Sequence, residues 1–348
     1  MKKISWVGVD IAKYVFQVHS TDARGKAIWR ARLSRDEWLS VLCEHVPTDS
    51  VIAMEACASA HHWARELRHR GYTVKLIAAQ FVKPYVKSNK NDAVDAAAIC
   101  EALSRPDMRF VAIKSIEQQD NQAMHRIRSE LVAQRTAKAN QIRGLVGEYG
   151  ITAPGGIAKL RQALPEWLEG EGKLSASFCV LLQGLYDDLK RLDERVASLD
   201  KCIAERVAQD PAAQRLMQLR GVGPLIASAL TGALGDGKAF GRGRDFAASL
   251  GLTPRQHSSG GKERLLGISK RGDPYLRKLL VHGARAVIRY VDRHDDALSC
   301  WIKSMLARKH TNVVTVALAN KTARIAWAIV HGEVDSDPSR MAAKALKI

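Results

Sequence analysis

The stretch that decides the fold runs from Ile4 to Asp10 and reads Ile-Ser-Trp-Val-Gly-Val-Asp. Its apolar residues are typical of a β-strand, and an aspartate directly follows them. A second apolar run, Val-Ile-Ala-Met at 51–54, is also followed directly by an acid, Glu55. Each acid alone has a structural explanation, such as an ion pair with an arginine. Acids at the ends of two apolar strands together indicate a functional site.

The sequence around these two runs predicts an α/β domain over residues 1–112. Gly71 and Pro106 end two of its helices, and a capping box at 34–37 opens another. The predicted strands cover 4–10, 14–20, 26–33, 50–56 and 73–82, and the predicted helices cover 34–45, 61–70 and 91–103. Three strands followed by alternating helices and strands resemble the ribonuclease-H-like, or RuvC-like, arrangement.

Two further acids extend the candidate site. Asp92 and Asp95 are three positions apart at the start of the alanine-rich helix, so they face the same side. Asp92 has an alternative role as a helix N-cap. In a ribonuclease-H-like sheet these two acids would converge with Asp10 and Glu55, and their mutual repulsion would need a cation. An oxygen-rich site of this kind suits Mg²⁺, which can polarise a phosphodiester.

The middle of the chain, residues 113–210, is predicted to be a helical linker. One long helix covers 118–149, and a stretch containing glycine and proline at 150–172 breaks it. A heptad seam then recurs at spacings of three and four through Leu182, Leu185, Leu189, Leu192, Val196, Leu199 and Ile203. This seam predicts a coiled coil and favours self-association. The alternative is an amphipathic helix packed within its own domain.

Residues 211–332 are predicted to form a mainly helical third domain, followed by a tail at 333–348 with no assigned role. Gly221 and Gly223 lie in a segment that resembles a helix-hairpin-helix, where backbone N–H groups can meet a phosphate. An Arg-Gly-Arg motif follows at 242–244. A loop rich in glycine, serine and arginine then covers 252–264, before a basic segment at 268–278. Such loops let the backbone approach a phosphodiester closely.

Composition indicates a nucleic-acid-binding protein. The 348 residues include 54 Lys and Arg against 36 Asp and Glu, giving a net charge of +18. Residues 211–348 hold 23 basic and 10 acidic residues, whereas residues 111–210 hold 14 of each. A basic region of this kind indicates a polyanionic partner, because Lys and Arg release counterions from phosphate backbones.

Composition and motifs also argue against several other classes. No uninterrupted apolar run reaches the roughly 18 residues of a membrane span, so no membrane association is predicted. No signal-peptide cleavage site follows the N-terminus. Six scattered cysteines without a Cys-x-x-Cys motif predict reduced thiols and a cytoplasmic location.

The acid spacing and the motif Lys-Asn-Asp-Ala-Val-Asp-Ala at 90–96 resemble the DEDD transposases of bacterial insertion sequences in the IS110 family. The run Thr-Pro-Arg-Gln-His-Ser-Ser-Gly-Gly-Lys-Glu-Arg at 253–264 resembles the IS1111 branch of that family. The resemblance covers residues 4–332, with a RuvC-like domain, a coiled-coil linker and a serine-containing transposase domain in that order.

The resemblance implies a recombinase guided by a structured non-coding bridge RNA that pairs with donor and target DNA. It implies that Asp10, Glu55, Asp92 and Asp95 bind Mg²⁺ and that a serine becomes covalently joined to a DNA phosphate. The family serine follows the proline by five positions, which selects Ser259 over the adjacent Ser258. Active sites shared between subunits of a dimer or tetramer of this chain are also implied. Residues predicted to contact nucleic acid are Gly221, Gly223, Arg255, Lys262, Arg264, Lys270, Arg271, Arg277 and Lys278.

Two other functions fit part of the sequence. A RuvC-like Holliday-junction nuclease would use the acids and Mg²⁺ to activate water, which leaves the serine loop unexplained. A non-catalytic nucleic-acid-binding protein would explain the charge, which leaves the placement of the acids unexplained.

Overall fold

The computed structural model describes residues 3–86, 91–170 and 174–332. Its contacts divide the chain into two compact units, Met1–Ser115 and Ile116–Ile348. The predicted further division of the second unit at residue 210 stays a prediction, and the predicted tail at 333–348 lies outside the described residues. All six cysteines are free thiols, as predicted.

The N-terminal unit is built on a six-stranded sheet with the order β3-β2-β1-β4-β5-β6. β1 pairs antiparallel with β2 and parallel with β4. The elements are β1 (Trp6–Ile11), β2 (Val15–Thr21), β3 (Ala27–Ser34), α1 (Trp38–His45), β4 (Val51–Glu55), α2 (Ala60–His69), β5 (Thr73–Ile77), α3 (Ala79–Val82), α4 (Asp92–Leu103) and β6 (Phe110–Val111). This mixed sheet with its helices is consistent with the ribonuclease-H-like fold.

Side chains along β1 and β4 alternate between the two faces of the sheet, and each face has its own hydrophobic core. Val7 and Val9 pack with α1 and α2 on one face of the sheet, around the buried Trp38. Trp6 and Ala53 belong to the core on the other face, which α4 covers. Asp10 and Glu55 continue the α4-facing series of their strands, because side chains two positions apart share a face.

Two predicted elements of this unit differ from the structure. The helix predicted to open with a capping box at 34–37 begins at Trp38, and its N-cap, Glu37, makes no side-chain capping hydrogen bond. The predicted strand at 73–82 ends at Ile77, and residues 79–82 form the short helix α3. The run Ala-Ala-Gln-Phe-Val carries no strict alternation, so its apolar character does not distinguish a strand from a buried helix. The short strand β6 has only two residues and gives no periodic signal.

The C-terminal unit is mainly helical. It contains α5 (Ile116–Gly147), α6 (Ile157–Glu169), α7 (Ala176–Gln209), α8 (Pro211–Met217), α9 (Pro224–Leu234), α10 (Gly243–Ser249), β7 (Pro254–Gln256), β8 (Leu265–Ile268), α11 (Pro274–Arg289), α12 (Ala297–Leu306) and α13 (Thr311–His331). The segment predicted to interrupt the linker helices includes α6. The segment predicted as a serine-rich loop includes the hairpin of β7 and β8.

The heptad seam of α7 packs within the same chain. Leu182 and Leu189 are fully buried in a cluster that includes Ile142 and Val146 of α5. Ion pairs between Arg135 and Asp193 and between Lys138 and Asp188 join the two helices, and their numbering shows that the helices run antiparallel. The seam therefore packs within its own unit, the alternative that the pattern left open, and it carries no information about self-association.

Helix α13 passes through the core of the C-terminal unit. By length and composition it could cross a membrane, and half of its most apolar window is buried in the protein. Its buried residues include Leu318, Ala323 and Trp327, which pack against neighbouring helices. This burial gives its apolar composition a structural explanation.

Candidate active site

An acidic cluster forms where β1 meets the start of α4. Carboxylate oxygens of Asp10, Asp92 and Asp95 all lie within 4.8 Å of one another. Asp92 is exposed, and the other two aspartates are half-buried. The helix N-cap is Asn91, whose Oδ1 accepts a hydrogen bond of 3.0 Å from Ala93 N. Asp92 is therefore the first helical residue, and its carboxylate is not needed as the cap.

Gly8 brings α4 against β1. A Cβ atom at this position would lie 2.5 Å from the backbone nitrogen of Cys100 and 2.9 Å from its Cβ, and nearer still to the carbonyl oxygen of Ala96. Only glycine permits this approach, because any side chain would overlap the helix backbone. Gly8 and Asp10 share a face of β1, so the same close approach places the start of α4 beside Asp10.

Glu55 lies at the end of β4, next to β1, but it is not a member of the three-aspartate group. The parallel register pairs Val9 with Met54, so Asp10 and Glu55 follow at the adjacent strand ends. Cys57 is near both acids. Burial first, and then the charges of Glu55 and Asp10, raise the pKa of its thiol. The structure thus brings three of the four predicted acids together and places Glu55 at the adjacent strand end, outside that group.

The chemistry of this acidic cluster fits a divalent cation. Three carboxylates within 4.8 Å repel one another in the absence of positive charge. Their oxygen atoms are the ligands that Mg²⁺ prefers in proteins. Lys90, the first residue of the predicted motif, lies outside the described residues.

Ser259 sits beside the turn of the β7–β8 hairpin. It forms an antiparallel bridge with Lys262, whose backbone nitrogen donates a hydrogen bond of 3.1 Å to the Ser259 carbonyl oxygen. The two residues between them, Gly260 and Gly261, have φ angles of +57° and +76°. Both central residues of a type I′ turn need positive φ, which explains the Gly-Gly pair. The tight turn therefore presents Ser259 at the exposed end of the hairpin.

The two adjacent serines have different surroundings. Ser258 Oγ accepts hydrogen bonds from Gln256 Nε2 at 3.0 Å and from the backbone nitrogen of Arg264 at 3.3 Å. Ser259 Oγ has no hydrogen-bond partner within the part of the chain that the structure describes. Ser258 thus stabilises the hairpin, whereas the hydroxyl of Ser259 is available to a ligand.

Two glycines fix the base of the hairpin. Gly251 has φ +68°, and a Cβ atom there would lie 2.7 Å from the carbonyl carbon of Lys270. Gly272 has φ +79°, and a Cβ atom there would overlap the carbonyl oxygen of Ser249. The chain segments that enter and leave the hairpin can pack this closely only because neither glycine carries a side chain.

The residues predicted to bind nucleic acid divide into two groups. Most of them are exposed, namely Gly223, Arg255, Lys262, Arg264, Lys270, Arg271 and Lys278. Arg277 instead donates hydrogen bonds from Nη1 to the carbonyl oxygens of Leu250 and Arg271, at 2.8 and 3.2 Å. Gly221 packs against the backbone of Gly283, where its own Cβ would lie 2.6 Å from the carbonyl oxygen. Structural roles thus account for Arg277 and Gly221.

The sequence interpretation missed the role of Gly8. A glycine inside a strand indicates a bulge or a close approach of another backbone, so the signal was present. The choice between these two explanations needs the position of α4, which is separated from β1 by about 80 residues of chain.

Comparison with known proteins identifies the class and then the family. A family model of transposases, the DEDD type of IS110 elements, matches residues 7–151. A second model, described as the transposase IS116/IS110/IS902 family, matches residues 213–298. The chain is therefore a DEDD transposase, and the acidic cluster and the serine hairpin fall one in each matched region.

Full-length relatives agree with this assignment. A probable family 20 transposase of Pseudomonas aeruginosa is 51% identical over 332 residues, which are 95% of this chain and 98% of that protein. The transposase for insertion sequence element IS1111A of Coxiella burnetii is 45% identical, covering 95% of this chain and 90% of that protein. The transposase for IS1328 of Yersinia enterocolitica is 43% identical, covering 94% and 97%.

The chain belongs to the IS110 family of insertion-sequence transposases. Such enzymes bind, cut and rejoin DNA, and the DEDD class is typically metal-dependent.

Proposed function

We propose that this transposase cuts and rejoins DNA through a covalent bond between Ser259 and a DNA phosphate, with Mg²⁺ bound by Asp10, Glu55, Asp92 and Asp95. The observation that carries the proposal is the exposed hydroxyl of Ser259, which has no hydrogen-bond partner among the described residues. Basic side chains of the same hairpin, Lys262 and Arg264, are exposed near it.

The proposed reaction conserves the number of phosphoester bonds. Ser259 Oγ attacks the phosphorus, one P–O bond to deoxyribose breaks, and the serine becomes esterified to the DNA. The hydroxyl proton passes to a base, and the leaving deoxyribose oxygen gains a proton. Attack by a DNA hydroxyl on the serine ester reverses these changes and joins the new strands. Arg and Lys side chains would stabilise the negative charge of the transition state.

The acids would hold the cation that this chemistry requires. A bound Mg²⁺ would supply positive charge against the scissile phosphate. Asp10 and Asp95 are half-buried, so their positions are set by β1 and α4, whereas the exposed Asp92 borders solvent. Glu55 would complete the four-acid set from the neighbouring strand end.

Guidance by a structured non-coding RNA and assembly into a dimer or tetramer complete the proposal. The acids and Ser259 belong to different units of the chain. The resemblance to the family supports an active site that combines the acids of one subunit with the serine of another. The basic C-terminal unit supports contact with both DNA and RNA.

An excision assay tests the chemistry. A plasmid carrying the complete element with its flanking non-coding DNA is introduced with wild-type protein, Ser259→Ala, Ser258→Ala or Asp10→Asn. We expect loss of excision for Ser259→Ala and Asp10→Asn, and reduced but detectable excision for Ser258→Ala, which loosens the hairpin. Full excision with Ser259→Ala would contradict the serine mechanism, and full excision with Asp10→Asn would contradict the metal site.

RNA guidance needs its own measurement. The protein is purified from cells that carry the flanking non-coding DNA, and the co-purifying RNA is sequenced. We expect one discrete RNA encoded beside the gene. Absence of such an RNA, together with strong binding to branched DNA, would favour the junction-nuclease alternative.

A further inference from the structure

The β7–β8 hairpin keeps a single register from the end of β7 to its turn. Gln256 pairs with Leu265 in the sheet, and Ser259 pairs with Lys262 next to the turn. The two pairs are three positions apart on both strands, so the register does not shift between them. The register therefore determines which side chains of this part of the hairpin lie on the same face.

His257 lies on the same face of the hairpin as Ser259. The two residues are two positions apart on one strand, and side chains at that spacing point to the same side. The register places Arg264 opposite His257, and the His257 backbone nitrogen donates a hydrogen bond of 2.9 Å to the Arg264 carbonyl oxygen. Directly opposed side chains also share a face. We call this side of the hairpin the serine face, formed by His257, Ser259, Lys262 and Arg264.

The opposite face has a different chemistry. It carries Gln256 and Ser258, and the hydrogen bond of 3.0 Å from Gln256 Nε2 to Ser258 Oγ agrees with their placement on one side. Glu263 is the only acid between residues 252 and 272, and the register places it opposite Ser258. The serine face therefore holds two cations and no acid, so its charge attracts a phosphate to the Ser259 hydroxyl.

His257 is the residue of the serine face that can accept a proton. A serine hydroxyl is a weak nucleophile until a base takes its proton, and Lys262 and Arg264 are protonated at neutral pH. A neutral imidazole has an acceptor nitrogen, and histidine is the commonest general base in enzymes. The His257 ring is exposed and has no hydrogen-bond partner in the part of the chain that the structure describes. Alternate residues of a strand are about 7 Å apart, a gap that an imidazole and a hydroxyl can close by rotation.

We propose that His257 accepts the Ser259 proton during strand cleavage. As Ser259 Oγ attacks phosphorus, its proton moves to the neutral imidazole and one P–O bond to deoxyribose breaks. The attacking and leaving oxygens lie in line on opposite sides of phosphorus, so the leaving oxygen takes its proton from water. When a DNA hydroxyl later attacks the serine ester, that hydroxyl loses its proton to water, and the imidazolium returns its proton to Ser259 Oγ. The inference rests on the serine mechanism of the proposed function and adds a catalytic residue to it.

The test measures how fast the covalent protein–DNA bond forms. Full-length wild-type, His257→Ala, His257→Arg and Gln256→Ala proteins are mixed, at saturating protein, with Mg²⁺, the co-purifying RNA and end-labelled element DNA, and the adduct is quantified on denaturing gels. We expect both His257 variants to form the adduct about 100-fold more slowly, and imidazole in the buffer to accelerate His257→Ala. Gln256→Ala, which removes a hydrogen bond on the opposite face, should slow the reaction less and should not respond to imidazole.

Three other results would contradict this account. A wild-type rate in His257→Arg would mean that His257 only contacts a phosphate, because arginine keeps such a contact without accepting a proton. Failure of imidazole to accelerate His257→Ala would mean that the histidine only shapes the hairpin. Both results would leave the serine adduct in place. If the wild-type protein forms no adduct at all, the serine mechanism of the proposed function is itself wrong.

Discussion

At the residue scale, single side chains with particular surroundings determine the candidate site. The absence of a side chain at Gly8 lets α4 pack against β1. Asn91 caps α4, so the Asp92 carboxylate is not needed as the cap. On the hairpin, the Ser258 hydroxyl holds the strands together. The Ser259 hydroxyl is exposed and has no hydrogen-bond partner among residues 3–86, 91–170 and 174–332. In the proposed mechanism, neighbouring residues therefore have different roles.

Gly8→Ala should separate α4 from β1. The added methyl group would overlap the backbone of Ala96 and Cys100, and overpacking of this kind costs about 1–3 kcal/mol. We expect urea denaturation to show that loss in the free energy of unfolding, and metal-dependent DNA cleavage to fall in the folded fraction. Gly144→Ala is the control, because that helical glycine has no atom within 4 Å of its Cβ position. Wild-type stability and cleavage for Gly8→Ala would contradict this account of the site.

The sequence alone singled out Asp10, Asp92 and Asp95, which the structure brings together, because strand ends and helix starts have local patterns. It did not predict which of the four candidate acids converge most closely, since the path of α4 over β1 depends on contacts distant in the chain. The sequence also could not predict that the Ser258 and Ser259 hydroxyls differ in their hydrogen bonding, because this difference depends on the hairpin register. That hairpin was predicted as a loop, since its strands have only three and four residues.

At the element scale, the long helices α5 and α7 stabilise each other. The seam that the sequence revealed is buried against α5, and Asp193 accepts hydrogen bonds from both Arg135 and Arg161, at 2.9 and 2.8 Å. The seven-residue repeat predicted a buried seam on α7, but the repeat does not distinguish a partner helix in the same chain from one in another chain.

Leu189→Ala tests whether the seam is a core. Leu189 is fully buried, so its truncation should lower the free energy of unfolding by about 3 kcal/mol. Leu181→Ala is the matched control, because Leu181 is 66% exposed and should change stability by less than about 0.5 kcal/mol. Chemical denaturation measures both, and light scattering reports the oligomeric state. An equal loss for Leu181→Ala, with dissociation of an oligomer, would indicate that the outer face of α7 is covered by another chain.

At the scale of the whole molecule, positive charge is concentrated at the C-terminal end of the chain, and a buried polar network lies inside that unit. His125 of α5 shares hydrogen bonds with the Tyr275 hydroxyl at 3.0 Å and with Ser228 Oγ at 3.1 Å. These contacts join α5, α9 and α11. Burial first, and then the charge of Arg128, lower the pKa of His125 from 6.5 to about 4.

The stability of the C-terminal unit should therefore depend on pH. Unfolded chains bind a proton at His125 below pH 6.5, whereas the folded protein resists protonation until pH falls to about 4. The free energy of unfolding should fall by up to roughly 3 kcal/mol between these values. His125→Gln should show a shallower fall in denaturation experiments across this range. The same slope in both proteins would contradict a neutral, buried His125. His61, whose pKa burial also lowers to about 4, adds a dependence of the same sign in the N-terminal unit.

The most direct test of the serine mechanism is to isolate the covalent protein–DNA bond. Wild-type protein is incubated with Mg²⁺ and end-labelled DNA of the element and its flanks, together with the co-purifying RNA, then denatured and digested for mass spectrometry. We expect a nucleotide-bearing peptide with the modification on Ser259, present in Ser258→Ala and absent in Ser259→Ala. DNA cleavage without any adduct, or an adduct on another residue, would contradict the assignment of Ser259 as the nucleophile.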